Sequence, residues 1–215
     1  MANIIQVVWE ARDALLAGFW LTIGVALLSI ILGTLLGVLV GLALTYGGRI
    51  LRSVARLYTD ILRGIPVLVL MLAAFYVPAI VGVNLTATQA GVFGLSLFCA
   101  SHVGEVVRGA LQAVPQGQTD AGKAIGLTFW QRFMFVLLPQ ALRQMIPTWT
   151  NAAVEIVKAT TLLSIIGAPE LIMRTQEVIG RTFLTMPLYL VCGIFYLLLD
   201  YSLERFGKYV DSRLA

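Results

Sequence analysis

Residues 14–48 carry no Asp, Glu, Lys or Arg, and an uncharged, mostly apolar run of 35 residues is at ease in only one solvent. As an α-helix it would reach roughly 52 Å, more than the thickness of a bilayer's hydrocarbon core, which predicts one tilted crossing with length to spare. Gly33, Gly37 and Gly41 recur every fourth residue within it, giving a smooth stripe suited to close helix contact. The rest of the chain agrees. Of 215 residues, 59% are hydrophobic and 12% charged, about half the usual charged share of a soluble domain. A water-soluble fold of this size cannot hide so much apolar surface, which excludes a soluble enzyme, a disordered protein and a disulfide-stapled secreted module. Cys99 and Cys192 both lie in apolar stretches and read as small buried hydrophobes. Glu10, Arg12 and Asp13 precede the first run, which is far too long for a cleaved signal peptide.

Residues 64–104 are likewise uncharged apart from His102, and suffice for two crossings with a turn marked by Pro78, Gly82, Asn84, Thr86 and Thr88. The expected fold is therefore all-α: one membrane domain over residues 1–215, a five-helix bundle with spans near 14–46, 60–80, 88–109, 146–167 and 186–204. A polar loop over residues 112–143 joins the third and fourth spans, and Glu170, Arg174, Glu177 and Arg181 fall in a loop before the fifth. Basic residues set the orientation. Arg49, Arg52 and Arg56, then Arg108, Lys123, Arg132 and Arg143, then Arg205, Lys208 and Arg213 all fall on one side of a five-helix bundle. That predicts an N-terminus outside and a C-terminus in the cytoplasm. The net charge of +4 includes no dense basic tract, so nucleic-acid binding is not expected.

Within the polar loop, residues 118–147 read as a short helix, a break at Gly126, and a second helix ending at Pro139. Thr119 and Asp120 can cap the first helix. Gly126 permits the sharp turn that a β-carbon would resist. Phe129, Trp130, Phe133 and Phe135 give the second helix a bulky apolar surface. Two angled helices joined to two spans form a lever that something outside the membrane can push. The other reading is an amphipathic helix lying on the inner leaflet, to which the Gly126 break is ill suited.

This loop resembles the EAA loop of ATP-binding-cassette importer permeases. Asp120, Ala121 and Gly122 stand at its first three places, Gly126 follows, and Leu138 and Pro139 close it, with Asp replacing Glu and Gly replacing the second Ala. Leu62-Arg63-Gly64-Ile65-Pro66, Val114-Pro115-Gln116-Gly117-Gln118, Leu138-Pro139-Gln140-Ala141-Leu142-Arg143 and Val157-Lys158-Ala159-Thr160-Thr161-Leu162 are similar, in order and spacing, to segments of polar amino acid permeases of the histidine, glutamine and arginine type. The resemblance covers residues 20–205. It implies a type I importer fold in the bacterial cytoplasmic membrane. It also implies a second permease, identical or homologous, two separate ATPase subunits and an extracytoplasmic amino-acid-binding protein. ATP would be bound and hydrolysed by the partner, and indeed no Gly-x-x-x-x-Gly-Lys-Ser/Thr loop occurs in this sequence. Asp120, Ala121, Gly122, Gly126, Leu138 and Pro139 would couple the bundle to that ATPase. The chain is thus expected to be a transport subunit rather than an enzyme, with no cofactor or metal of its own.

Charges inside the bilayer need a partner, a cavity or a function. Glu155 and Lys158 share a helix face, either as a self-neutralising pair or with Glu155 facing a cavity to accept a substrate ammonium. Glu105 either contacts substrate or pairs with Arg108. Arg63 offers a planar fork to the carboxylate of an amino acid, or pairs with Asp60. Candidate substrate residues are therefore Arg63, Glu105, Glu155 and Lys158. His102 fits an interhelical hydrogen bond better than a metal site, and Asp200 is expected to reach the interface or Arg205. The rival reading is a stand-alone secondary transporter or channel for small polar solutes.

Overall fold

In the computed structural model, which describes residues 4–214, helices joined by short turns make up nearly the whole chain, and the described residues contain no strand. The expected unit of 1–215 exceeds this by residues 1–3 and 215, which lie outside the described residues.

Helix α1 (Ile4–Tyr46) is the spine, and α4 (Ala87–Ala113) lies along it. The glycine stripe makes that approach possible. A β-carbon on Gly33 would enter Cys99, one on Gly37 would enter Val103, and one on Gly41 would enter Val107 and the Gly104 carbonyl. Both helices advance four residues per step in the same sense, so α1 and α4 are parallel. The chain between them must therefore return across the bundle.

The return is made by two helices, α2 (Arg49–Gly64) and α3 (Val67–Ile80), bent by 109° from each other. The expected span over 60–80 is broken at Pro66. Pro66 lacks the amide proton a helix needs and bars Ile65 from helical angles; Ile65 sits at φ −92°, ψ 134°. Residues 60–64 thus belong to a different rod from 67–80. The following turn closes not at Pro78, which lies inside α3, but at Gly82 with φ +82°. A capping box then starts α4, with Thr86 and Gln89 exchanging hydrogen bonds.

After α5 (Gln116–Ala124), α6 (Phe129–Arg132) continues through a widened π turn, Phe133–Leu137, into α7 (Leu138–Ala159) and a tightened stretch, Thr160–Ile166. Pro139 does not end this rod, contrary to expectation, and Pro147 lies inside α7. Pro139 occupies the first turn of α7, and the π turn before it makes room where an α turn would bring its ring against a carbonyl. Residues 171–182, expected as a loop, form α8 (Leu171–Thr182). Gly207 on α9 (Thr185–Leu214) meets Thr150, while Lys158 reaches Asp200, so α7 and α9 are antiparallel. Three helices are individually long and apolar enough to cross a bilayer, and the total is five if each of the bent pairs α2–α3 and α6/α7–α8 counts as one span. Met71, Leu95, Val103, Ile156 and Leu163 are almost completely buried and belong to one apolar core. Leu27, Ile31, Leu35 and Leu39 on α1 remain exposed, as suits a lipid-facing surface.

Glu170 explains why α8 exists. It is fully buried, its two oxygens accept from the Ile172 and Met173 amides at 2.9 and 2.8 Å, and Tyr196 on α9 donates to it at 2.8 Å. Thr22 on α1 accepts from the Leu171 amide at 3.2 Å. One carboxylate thus pins α8 to α9, with α1 tied in beside it.

Two measurements check this packing. Gly37→Leu should lower the melting temperature of the detergent-purified protein sharply, at a cost of about 1–3 kcal/mol for an overpacked site, whereas Gly24→Ala, which meets no neighbour within 4 Å, should leave it nearly unchanged. Glu170→Ala should destabilise by about 1–3 kcal/mol, because it strands buried donors, and Glu170→Gln, which keeps an acceptor oxygen, should recover part of that loss in the same melt.

Candidate functional site

In this greasy bundle the conspicuous feature is a polar cavity of about 510 Å³ between α2, α4 and α7. Arg63 from the last turn of α2, His102 and Glu105 from α4, and Gln144, Thr148, Asn151 and Glu155 from α7 all line it. The bend at Pro66 is what delivers Arg63. A straight span would have carried it along the helix axis, away from α7. The polar α7 lining residues fall at intervals of four, three and four, a polar stripe along one face of that helix. Gln144, Thr148 and Asn151 were not singled out from sequence, although that interval marks them.

Arg63, Glu105 and Glu155 therefore come together, and Lys158 does not join them. Lys158 is absent from the lining and reaches Asp200 of α9 at 3.5 Å. The alternative Glu155–Lys158 pair is not formed, because the Asp200 carboxylate, only 14% exposed, offers the ammonium a more enclosed partner. The expected exit of Asp200 toward Arg205 is replaced by the same contact. Glu105 is held by Arg108, whose Nε donates to Oε2 at 2.9 Å, and Arg108 also donates to Gln112 at 2.7 Å. Glu105 can line the cavity and keep this pair at once, since both contacts with Arg108 use Oε2. Glu155 and Arg63 make no ion pair at all among the described residues, and Asp60 lines a different depression with Arg52 and Arg56. His102 bonds within its own helix rather than between helices, with Nδ1 at 3.0 Å from the Phe98 carbonyl. The cavity thus presents an unpaired cation and an unpaired anion on opposite helices, plus neutral hydrogen-bonding groups. That pattern suits a zwitterion of modest size, and the volume is in the range of small-molecule sites.

The second element is the joint between α5 and α6. Gly126 sits at φ +79°, the Gly126 amide donates to the Lys123 carbonyl, and the Leu127 amide donates to the Gly122 carbonyl, each at 2.9 Å. This is a Schellman close, which needs a left-handed residue at that place. Thr128 and Gln131 then start α6 with a capping box. Gly122 is buried because Arg132 lies across it, and the Arg132 guanidinium donates to the Leu127 carbonyl at 2.6 Å. The absence of a side chain at 122 is what lets this arginine clamp the turn. Asp120 and Lys123 pair on the exposed side at 3.2 Å. Ala121 is exposed beside them, while Leu138 and Pro139 start α7. Tyr46 at the end of α1 stacks edge-on with Phe129 and Phe133, ring centres 5.2 and 5.9 Å apart. The joint is thus fastened to the spine, and Ile125, Trp130 and Phe135 are left exposed. A rigid body with an apolar outer face, built into the same rod as the cavity wall, can carry displacement from that face to Glu155.

Gly126→Val should strain the left-handed turn by about 1–2 kcal/mol. Hydrogen exchange of the 122–128 amides should accelerate in that variant, while exchange in α4 stays as it was.

Residues 33–215 match a family described as "Binding-protein-dependent transport system inner membrane component". The chain is 30% identical over 209 residues to the Glutamine transport system permease protein GlnP of Escherichia coli (strain K12), covering 96% of this chain and 95% of that protein. It is 30% identical over 187 residues to the Probable amino-acid ABC transporter permease protein YckA of Bacillus subtilis (strain 168), covering 87% and 83%. Its fold matches a chain in a crystal structure of an amino acid ABC transporter with histidines, with a TM-score of 0.91 at 23% identity over 99% of both chains.

Proposed function

Because the chain belongs to the family of binding-protein-dependent transport system inner membrane components, we propose that it is the permease subunit of an ATP-driven importer of polar amino acids. The observation that carries the substrate class is the meeting of Arg63, Glu105 and Glu155 at one polar cavity in an apolar bundle. The Arg63 guanidinium receives the α-carboxylate through paired hydrogen bonds. Glu155, which makes no ion pair among the described residues, receives the ammonium. Glu105 forms a wall fixed by Arg108 and adds negative charge where a side chain would lie. Lys158 has its work with Asp200, bracing α7 against α9 beside the cavity. The permease relatives named for glutamine and amino acids support this class.

The driving force comes from outside the chain. Two ATPase subunits bind and hydrolyse ATP, and this chain holds no cofactor. The joint of Asp120, Ala121, Gly122 and Gly126 docks into them through α5 and the exposed aromatics of α6. Since α6 and α7 are one rod through Leu138 and Pro139, closure of the ATPases tilts the cavity wall, a rigid-body form of alternating access. A second permease, identical or homologous, completes the pathway, and an extracytoplasmic binding protein loads it. The joint and the ends of α1, α4 and α9 lie toward one face; we assign that face to the cytoplasm of a bacterial cell, where the basic residues concentrate. The N-terminus then lies outside. Membership of a binding-protein-dependent family argues against a stand-alone transporter or channel.

Uptake by vesicles carrying the complete importer, given a panel of amino acids, tests the reading. Glu155→Gln should raise KM for the preferred amino acid by about 5–150-fold, as expected for losing one charge-assisted contact of about 1–3 kcal/mol, with ATP hydrolysis intact. Unchanged uptake and preference in both Glu155→Gln and Glu105→Gln would show that these carboxylates are structural. Gly122→Val should uncouple: substrate binding persists while transport per ATP falls.

A further inference from the structure

Helix α2 has no evident task in the transport cycle beyond placing Arg63. Its sequence is nonetheless sharply divided. At 100° per residue, Arg49, Arg52 and Arg56 fall on one side, and Ile50, Val54, Leu57 and Ile61 form an adjacent stripe. All seven are exposed. Only Ala55 and Thr59 of this helix are buried. Tyr58 donates to the Leu97 carbonyl at 2.7 Å in the middle of α4, so the side bearing Tyr58, Ala55 and Thr59 faces the bundle, and the arginines flank that side with their side chains exposed.

The place of α2 is also informative. It begins just after α1 ends, separated only by Gly47 and Gly48, and it stands at 109° to α3. A helix nearly perpendicular to a crossing helix runs along the boundary of the apolar slab. Among the described residues the arginines have no acidic partner there. Arg52 donates to the Thr45 carbonyl at 3.3 Å, and among the described residues the Arg49 and Arg56 guanidiniums make no hydrogen bond and none of the three arginines joins an ion pair. Arg52, Ser53, Arg56, Leu57 and Asp60, the helix's single acid, line a depression of about 350 Å³.

We propose that α2 is an interfacial helix that holds anionic phospholipid: Arg49, Arg52 and Arg56 take the headgroup phosphates, and the Ile50–Val54–Leu57–Ile61 stripe enters the acyl chains. Unpaired guanidiniums match phosphate in charge and fork geometry, and the neighbouring apolar stripe is what an in-plane helix needs. A protein partner would have to supply acidic and apolar strips side by side, whereas an anionic leaflet supplies both as a matter of course. This goes beyond the transport reading and stands whichever solute is carried.

The test uses the full-length chain, with whatever subunits copurify, in nanodiscs of phosphatidylcholine with or without phosphatidylglycerol. Native mass spectrometry should show phosphatidylglycerol retained by the parent and lost on combining Arg49→Gln, Arg52→Gln and Arg56→Gln, with retention falling about fivefold per arginine removed. The corresponding triple lysine variant should keep most of it. Should the glutamine variant fail to fold, a fluorophore on Val54→Cys in the otherwise unchanged chain decides. Headgroup-labelled phosphatidylglycerol should quench it more than labelled phosphatidylcholine does. Equal retention by the glutamine variant, equal quenching by the two lipids, or a label shielded by a second permease or an ATPase would each overturn the proposal. Because retention and quenching are read without transport, they fail or succeed independently of the importer reading.

Discussion

The α1–α4 contact governs the geometry of everything else. Three glycines on α1 let two helices lie side by side with backbone against side chain, and they do so in parallel. Parallel neighbours in a bilayer oblige the intervening chain to cross back, and here only the residues between 49 and 80 are available to do it. The crossing therefore has to share its length with a boundary helix, and Pro66 makes the division. In lipid no hydrophobic force draws helices together, so close van der Waals approach has to supply that association. Small residues in register are the means, and their loss would unseat α2, α3 and the cavity along with α4.

The cavity follows from that layout. α4 stands between the spine and α7, offering one face to α1 and another, with His102 and Glu105, to the cavity. α7 contributes a polar stripe that no lipid-facing helix could tolerate. Its Trp149 donates to Thr34 of α1 at 2.9 Å, so α7 is tied to the spine as well as to α9. The same rod extends without a break to the α6 joint. A push on the exposed aromatics of that joint and a shift of Glu155 are then two ends of one motion, requiring no chain of intermediate contacts.

Much of this was visible in the residues. The uncharged runs gave the membrane, the glycine spacing gave a close helix contact, and Gly126 gave the sharp turn of the joint. Departures cluster where a local signal has two outcomes. Pro66 and Pro139 carry the same chemical defect, yet one turns the chain by 109° and the other is absorbed by a π turn. Residues 171–182 looked like a loop because their charges suggested water, whereas Glu170 caps a helix with its carboxylate buried against Tyr196. Pairings were the least legible. Lys158 has Glu155 within reach on its own helix and chooses Asp200 on another.

Sequence alone determined the solvent, the stripe of contact on α1 and the conformation of the joint, because each depends on residues adjacent in the chain or one helical turn apart. Tertiary structure decided which helix the stripe meets, where Arg63 points and which charges stay unpaired. Those depend on the angles between helices, and an angle is settled by packing across the whole bundle rather than by any local run of residues.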